Sequence, residues 1–289
     1  GFATWSGTSF SAPFVAGRIA AQLGAVPTSG LAPGAVAKAV AAVLAGKGAE
    51  VVLAARNPDK GTEAERLIRS RHPNAAVRFD LLDLASLASV QAFAERHLTT
   101  GRPIDILIDN AGVMALPKRQ TTVDGFEMQF GTNYLSHFAL VGRLLPLLIG
   151  AKARVVQLSS VAHRSGHIRL DDLNYQTHYR PWPVYQQSKL AMLMFALELQ
   201  RRSDTHGWGL TSVAAHPGFA RTDLIANGHA GKPGLFARGA RLLEAVLSHS
   251  AADGALPVLP VADSLRRGEA DIMTDVVERD ADGNVEHAE

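Results

Sequence analysis

The sequence predicts a doubly wound α/β fold built around a parallel β-sheet. Short apolar runs rich in β-branched residues alternate with longer segments of helical apolar spacing, a pattern typical of parallel sheets covered by helices on both faces. Of the 289 residues, 47% are hydrophobic, enough for a sizeable core. Polar and glycine clusters follow several of the runs, where ligands bind in such sheets.

The apolar runs predict five buried strands, at residues 50–54, 76–79, 104–108, 154–158 and 210–214. The segments of helical spacing predict four helices, at residues 62–70, 87–98, 126–148 and 185–202. Three strands end at polar or glycine clusters, namely Asn110-Ala111-Gly112, Ser159-Ser160 and His216-Pro217-Gly218. We therefore expect the functional site at this edge of the sheet.

The charge is distributed unevenly along the chain. Residues 269–289 carry eight acidic residues and one basic residue, a net charge of −7, whereas the preceding 268 residues carry 28 basic and 19 acidic residues, a net charge of +9. A basic body suits an anionic small ligand such as a dinucleotide. Basic runs interleaved with aromatic residues are missing, so we predict no nucleic-acid partner. We interpret the acidic segment as a solvated, partly disordered end.

Composition excludes several other classes of function. The chain has no cysteine, which excludes disulfides, thiol nucleophiles and Cys-type zinc sites. The acidic residues at 280–286 lack EF-hand spacing, so we predict no metal site. The apolar stretch at 144–149 is too short to span a bilayer, so we predict no transmembrane segment and a cytoplasmic location. The first residue is Gly1 rather than Met, from which we expect a fragment, a processed product or a partial gene model.

Tyr185 and Lys189 form the most informative pair in the sequence. Positions i and i+4 share one face of a helix, and an ammonium group beside a phenol lowers the phenol pKa from about 10. Such a tyrosine can donate a proton to a carbonyl oxygen, and Ser160 at a strand end can hydrogen-bond to the same oxygen. Asn133, on a long predicted helix, is placed to order water that supplies protons to Lys189. The chemistry is that of a carbonyl reductase.

Several motifs in a fixed order resemble the short-chain dehydrogenase/reductase family, and most closely its retinol dehydrogenase subgroup. They are Asn110-Ala-Gly-Val113, Asn133-Tyr-Leu-Ser-His-Phe138, Val155-Val-Gln-Leu-Ser-Ser160, Tyr185-xxx-Lys189 and His216-Pro-Gly-Phe-Ala-Arg-Thr222. The resemblance covers about residues 46–257 and implies a Rossmann-type sheet. It also implies homodimers or homotetramers formed through the long helices, and a hydrophobic carbonyl or alcohol substrate.

The resemblance assigns roles to individual residues. The catalytic residues it implies are Asn133, Ser160, Tyr185 and Lys189. Cofactor-binding residues on the adenosine side are Asp83, Leu84, Asn110, Ala111 and Gly112, and on the nicotinamide side Pro217, Gly218 and Thr222, besides Tyr185 and Lys189.

Arg56 predicts the choice of cofactor. An acidic residue at the end of the second strand of this fold binds the ribose 2′-hydroxyl of NAD, but this chain has Ala55 followed by Arg56. A guanidinium group there can pair with a 2′-phosphate, although a solvated surface arginine is the alternative. We predict NADP rather than NAD.

The N-terminal region departs from this family. Its glycine-rich phosphate loop would fall near residues 30–37, where the sequence is Gly-Leu-Ala-Pro-Gly-Ala-Val-Ala. Val36 occupies the third glycine position, and Pro33 lacks a backbone donor, although such a loop binds phosphate through backbone N–H groups. Residues 7–17 instead resemble the catalytic-serine segment of subtilisin-like proteases, with Ser9 at the nucleophile position, and residues 31–44 resemble a later helix of that family.

These observations lead to a division into a protease-like fragment (1–44, helical), a reductase domain (45–268) and an acidic tail (269–289). The first strand and the glycine-rich loop of the reductase fold are replaced. We expect either that residues 18–26 fill the central place in the sheet or that the sheet is damaged. The function predicted is NADP-dependent carbonyl–alcohol interconversion, with cofactor binding in doubt. The alternatives are a non-enzymatic chimera that binds no dinucleotide and a residual serine protease fragment, which lacks an upstream Asp and His.

Overall fold

A computed structural model describes residues 35–215 and 271–276 as helices packed on both faces of a parallel sheet. The strands are β1 (Glu50–Ala55), β2 (Val77–Leu81), β3 (Ile106–Asp109), β4 (Arg154–Leu158), β5 (Thr211–Ala215) and β6 (Asp271–Val276). The helices are α1 (Ala35–Gly46), α2 (Pro58–Arg71), α3 (Leu87–Thr100), α4 (Met128–Ala151) and α5 (Pro181–His206).

The sheet confirms the predicted fold class. Its strand order is β2-β1-β6-β3-β4-β5, and every neighbouring pair is parallel. This is the doubly wound order, in which the chain leaves the middle of the sheet in both directions. The five predicted strands and four predicted helices are all present, with bounds that shift by up to four residues.

The central place in the sheet is filled by β6, which contradicts two predictions. Asp271–Val276 pairs with β1 on one side, where Val52 lies opposite Met273, and with β3 on the other, where Ile108 lies opposite Thr274. The acidic segment is therefore not simply a solvated end, and the sheet is continuous rather than damaged. Residues 18–26, the other predicted occupant of this place, lie outside the described residues, as do Ser9 and the protease-like motif.

Two apolar clusters cover the two faces of the sheet. On one face, Val51, Leu53 and Ile108 pack with residues of α1 and α2 such as Leu44 and Ile68. On the other face, the side chains come from strands, from α3, α4 and α5, and from connecting segments, and include Leu107, Val155, Phe93, Leu144 and Leu199. α1 continues through the predicted join near residue 44 and buries Val40, Ala41 and Leu44. The division into domains remains a prediction.

Local sequence explains how the helices that carry the site begin. In α3, the Ser86 hydroxyl accepts a hydrogen bond from the Ser89 N–H and caps the first turn. Pro181 starts α5 with a fixed φ suited to the first helical turn. In α4, residues Gly131–Leu135 form a π-turn, a local widening of the helix that is frequent at functional sites. This widened turn contains Asn133.

Removing β6 is expected to abolish cooperative folding. A chain that ends at Gly268 leaves the inner edges of β1 and β3 without partners, and unpaired buried backbone groups are costly. We expect a loss comparable to the whole folding free energy, about 5–15 kcal/mol, measured by circular dichroism during thermal and urea unfolding. A chain that ends at Arg279 keeps β6 and is the control. Equal unfolding curves for the two would contradict this placement of β6.

Candidate active site

The candidate site lies where β3 and β4 end and α4 and α5 begin. Tyr185 and Lys189 occupy the second and third turns of α5, and both side chains are 5% exposed. Ser160 follows β4 and caps a short 3₁₀ helix, Val161–Ser165, by accepting a hydrogen bond from the Ala162 N–H. Asn133 projects from the π-turn of α4 and is fully buried. The structure thus brings the four predicted catalytic residues to one edge of the sheet.

Tyr185 is protonated in this arrangement. Burial raises the pKa of its phenol to about 12, and the nearby Ser160 hydroxyl acts in the opposite direction. The Lys189 ammonium nitrogen lies 5.9 Å from the centroid of the Tyr185 ring. The predicted lowering of the Tyr185 pKa is therefore wrong for this arrangement, because desolvation of the buried phenol is the largest effect and raises the pKa. A protonated phenol is the form that donates a proton.

Lys189 reaches back toward the sheet. Its Nζ donates a hydrogen bond of 2.7 Å to the carbonyl oxygen of Leu158, the last residue of β4. It also lies beside Gly112, since a Cβ added at Gly112 would come within 3.4 Å of Nζ and within 3.2 Å of the Asn133 Oδ1 atom. The glycine therefore leaves open a small space bordered by an ammonium and an amide.

Asn133 binds protein groups rather than leaving its amide to solvent. Its Oδ1 accepts a 2.7 Å hydrogen bond from the Val113 N–H, and its Nδ2 donates to the Val113 carbonyl oxygen and to the Ser188 hydroxyl, each at 2.9 Å. Ser188 in turn donates to the Tyr185 carbonyl oxygen at 2.8 Å. Asn133 thus ties the loop after β3 to α5, one residue before Lys189. The predicted water-ordering role stays a prediction.

Gln129 makes a second connection of this kind, which the sequence did not reveal. Its Oε1 accepts a 2.7 Å hydrogen bond from the Ala115 N–H, and its Nε2 donates to the Pro181 carbonyl oxygen at 3.0 Å and to the Tyr179 hydroxyl at 3.1 Å. Tyr179 donates to the Leu116 carbonyl oxygen at 2.8 Å. One buried amide therefore joins the loop after β3, the start of α4 and the start of α5.

Glu127, also missed, caps α4 from a fully buried position. Its Oε2 accepts a 2.7 Å hydrogen bond from the Phe130 N–H, and its own N–H donates to the Asn174 Oδ1 atom at 3.0 Å. Burial raises the pKa of the Glu127 carboxyl to about 7, although backbone hydrogen bonds oppose this. The only hint in the sequence was a pair of polar residues, Glu127 and Gln129, at the head of an apolar helix.

The residues predicted for the adenosine side lie along the ends of β1, β2 and β3. Arg56 follows β1 and is 5% exposed. Asp83 follows β2, and its Oδ1 accepts a hydrogen bond from the Ala85 N–H, while the buried Leu84 accepts one from the Ser136 hydroxyl through its carbonyl oxygen. Asn110, Ala111 and Gly112 follow β3. Pro217, Gly218 and Thr222 lie outside the described residues.

Two of the described positions, the end of β1 and the space beside Gly112, are compatible with a bound dinucleotide. Arg56 supplies a positive charge at the end of β1, and the space beside Gly112 would be filled by any Cβ. The phosphate position is different, because it belongs to the loop after the central strand. The central strand here is β6, and it is followed in sequence by Val-Glu-Arg-Asp-Ala-Asp, with no glycine before Gly283.

A parallel sheet with Asn133, Ser160, Tyr185 and Lys189 at its carboxyl edge is typical of dinucleotide-dependent oxidoreductases. The comparisons with known proteins identify the family. The short chain dehydrogenase family model matches residues 30–232, and the chain belongs to that family, which uses NAD(P).

Curated relatives and solved structures agree with this membership. The chain is 47% identical to human retinol dehydrogenase 13 over 191 residues, covering 65% of this chain and 57% of the relative. It is 40% identical to mouse polyprenol dehydrogenase over 220 residues, covering 74% and 63%. An uncharacterized protein from Mycobacterium paratuberculosis matches at a TM-score of 0.62 and 36% identity, covering 81% and 79%. A metagenomic short-chain oxidoreductase in complex with NADP shares the fold, at a TM-score of 0.55 and 18% identity, covering 88% and 95%.

The predictions of no transmembrane segment and of a cytoplasmic location are wrong. The chain spans about three fifths of the length of the relatives just named, which carry the names of two apolar lipids, retinol and polyprenol. Within the described residues, the 24-residue α4 has a mean hydropathy of 1.4 over its most apolar window and meets the length and composition of a membrane span. In this structure, 39% of that window is buried in the protein.

The raised pKa of Glu127 predicts that its contribution to stability depends on pH. A carboxyl whose pKa rises from 4.5 to about 7 on folding binds more protons in the folded state between these values. The free energy of unfolding should therefore fall by about 3 kcal/mol as the pH rises from 4.5 through 7. The measurement is urea unfolding of the native chain and of Glu127→Gln from pH 4.5 to 9.

The difference in free energy of unfolding between the native chain and Glu127→Gln should change with pH below pH 7. It should stay constant from pH 7.5 to 9, and this range serves as the internal control. A difference that is the same at every pH would show that Glu127 is ionised in the folded protein throughout.

Proposed function

We propose that this chain is an NADP-preferring oxidoreductase that interconverts a carbonyl and an alcohol. The observation that carries the proposal is the placement of Tyr185 and Ser160 at the carboxyl edge of the sheet, with Lys189 one helical turn after Tyr185 on α5. A carbonyl oxygen placed between the two hydroxyls would receive hydrogen bonds from both, which stabilises the negative charge that develops on it.

Each residue has a role in the proposed reduction. Tyr185, protonated at neutral pH, donates the proton to the carbonyl oxygen. Ser160 orients that oxygen, and Lys189 supplies positive charge on the same face of α5. Asn133 and Gln129 hold the loop after β3 against α5, so that the distances between these groups stay fixed. The nicotinamide cofactor, when bound, supplies the hydride.

A protonated Tyr185 is the form that donates the proton in a reduction. Oxidation of an alcohol needs the phenolate as a base, and a pKa of about 12 makes that form scarce. For the substrate we propose a hydrophobic aldehyde or ketone, because the relatives are named for the lipids retinol and polyprenol.

A second candidate function, a family member that binds no dinucleotide, is favoured by one observation. The strand at the centre of the sheet is β6, and the residues after it include Glu278, Asp280 and Asp282. A phosphate loop binds through bare backbone donors, which are worth roughly 1.5–3 kcal/mol each to a charged ligand. A sequence that has three carboxylates and no glycine in this segment does not favour a pyrophosphate. Calorimetric titration with NADPH separates the candidates: micromolar binding supports the oxidoreductase, and no binding up to millimolar by a folded sample supports the second.

Replacing Tyr185 is expected to abolish reduction without preventing cofactor binding. Tyr185→Phe removes the proton donor, and general acid catalysis contributes about 10²–10⁴-fold. The measurement is NADPH oxidation with a hydrophobic aldehyde such as retinal, followed by absorbance at the nicotinamide band. The matched control is Tyr134→Phe, since the Tyr134 ring packs against Phe130 and Phe195 in an aromatic group on α4 and α5. Equal activity of Tyr185→Phe and native protein would rule out this role.

The preference for NADP is expected to depend on Arg56. Replacing Arg56 with Gln removes the guanidinium that would pair with the 2′-phosphate, so NADPH affinity should fall by at least about tenfold while NADH affinity changes little. Calorimetry with both cofactors measures the ratio. The control is Arg66→Gln, which removes an exposed arginine on the outer face of α2. Native protein that binds NADH as tightly as NADPH would contradict the assignment.

A further inference from the structure

A cavity with several charged lining residues lies away from the candidate active site, between β1, β2 and the end of α3. Its volume is about 420 Å³. Its charged lining comes from Glu50, Arg78, Asp80, Arg96, His97 and Arg102. Glu50 is the first residue of β1, whereas the catalytic group lies beyond the last residues of β3 and β4. The cavity is therefore at the opposite end of the sheet from Tyr185.

The described residues that line this cavity carry more positive than negative charge. Among them, three guanidinium groups accompany two carboxylates, an excess of one positive charge. Arg102 is held by two hydrogen bonds to Glu50, at 2.9 and 2.7 Å, and Arg96 by one to Asp80 at 2.7 Å. The carboxylates thus hold two of the three arginines in fixed positions around the cavity.

Arg78 differs from the other two arginines. Its Nε lies 4.0 Å from Glu50 Oε1 and its Nη1 lies 3.8 Å from Asp80 Oδ2. Both distances exceed that of a hydrogen bond, so these two carboxylates attract the guanidinium without accepting its N–H groups. The Arg78 side chain is 44% exposed. Arg78 therefore lines the cavity beside two arginines that carboxylates hold by hydrogen bonds.

We propose that this cavity binds a compact oxyanion, namely a phosphate or the phosphate group of a small metabolite, at a site separate from the candidate active site. An anion of this class would match the planar donor geometry of Arg78 and neutralise the excess positive charge. Val52 and Ile104, which line the same cavity, give it an apolar part. The volume exceeds that of a single phosphate group, so a phosphate ester with a small organic portion also fits.

The test is calorimetric titration of the full chain with inorganic phosphate and with glycerol 3-phosphate, against sodium chloride at equal ionic strength. We expect one site that discriminates phosphate from chloride. Tighter binding of the ester would identify the metabolite form, and equal binding would identify the inorganic form. Absence of any phosphate-specific heat would overturn the proposal.

Three variants locate the site. Arg78→Gln should weaken binding at least about tenfold, because it removes charged hydrogen-bond donors. Glu50→Gln should tighten binding severalfold, because it removes a negative charge beside the anion, a gain that a purely structural role of Glu50 would not produce. Arg66→Gln, which removes an exposed arginine outside the cavity lining, is the control and should leave phosphate binding unchanged.

Circular dichroism of each variant establishes that it is folded before titration. Binding that is lost in Arg56→Gln, at the predicted cofactor site, but kept in Arg78→Gln would place the phosphate in the active site instead and overturn the proposal. Weaker binding by Glu50→Gln would overturn it as well.

Discussion

The whole structure depends on a strand in the middle of the parallel sheet. An interior position in such a sheet has hydrogen-bonding groups on both sides, and leaving them without partners inside a protein is costly. In this chain the position is occupied by β6, which pairs with β1 and β3 at once. Only with that position filled do the two halves of the sheet, β2-β1 and β3-β4-β5, form one continuous surface. The two apolar clusters on its faces need that surface.

The candidate site uses this rigid base but is assembled by buried polar side chains. Two amides from α4, Asn133 and Gln129, each bind both the loop after β3 and the start of α5. Buried polar networks fix geometry because every broken bond leaves a desolvated group behind. Tyr185 and Lys189 owe their positions to these bonds, and the same burial that holds Tyr185 keeps its phenol protonated.

Much of the fold could be predicted because its signals are local. Runs such as 104–108 and 154–158 have the apolar composition of buried strands, and glycine and polar residues after them mark the functional edge. β6 could not be predicted in this way, because Asp271 and Asp275 interrupt its apolar residues and its partners lie more than 160 positions away. Glu127 and Gln129 were missed because their role depends on contacts between distant segments. The predicted direction of the Tyr185 pKa shift was wrong, because a sequence shows a neighbouring charge but does not show how deeply the phenol is buried.

The position of β6 in the chain also bears on how the protein is made. Chains are synthesised from the N-terminus at about 5–20 residues per second, and domains fold as their parts emerge. The strand at the centre of this sheet is the last one described along the chain, so β1 and β3 must wait for it after they have left the ribosome. During that interval their inner edges are open to other chains. Contacts between such distant segments also slow folding, so this chain is expected to need chaperones more than relatives whose central strand is made first.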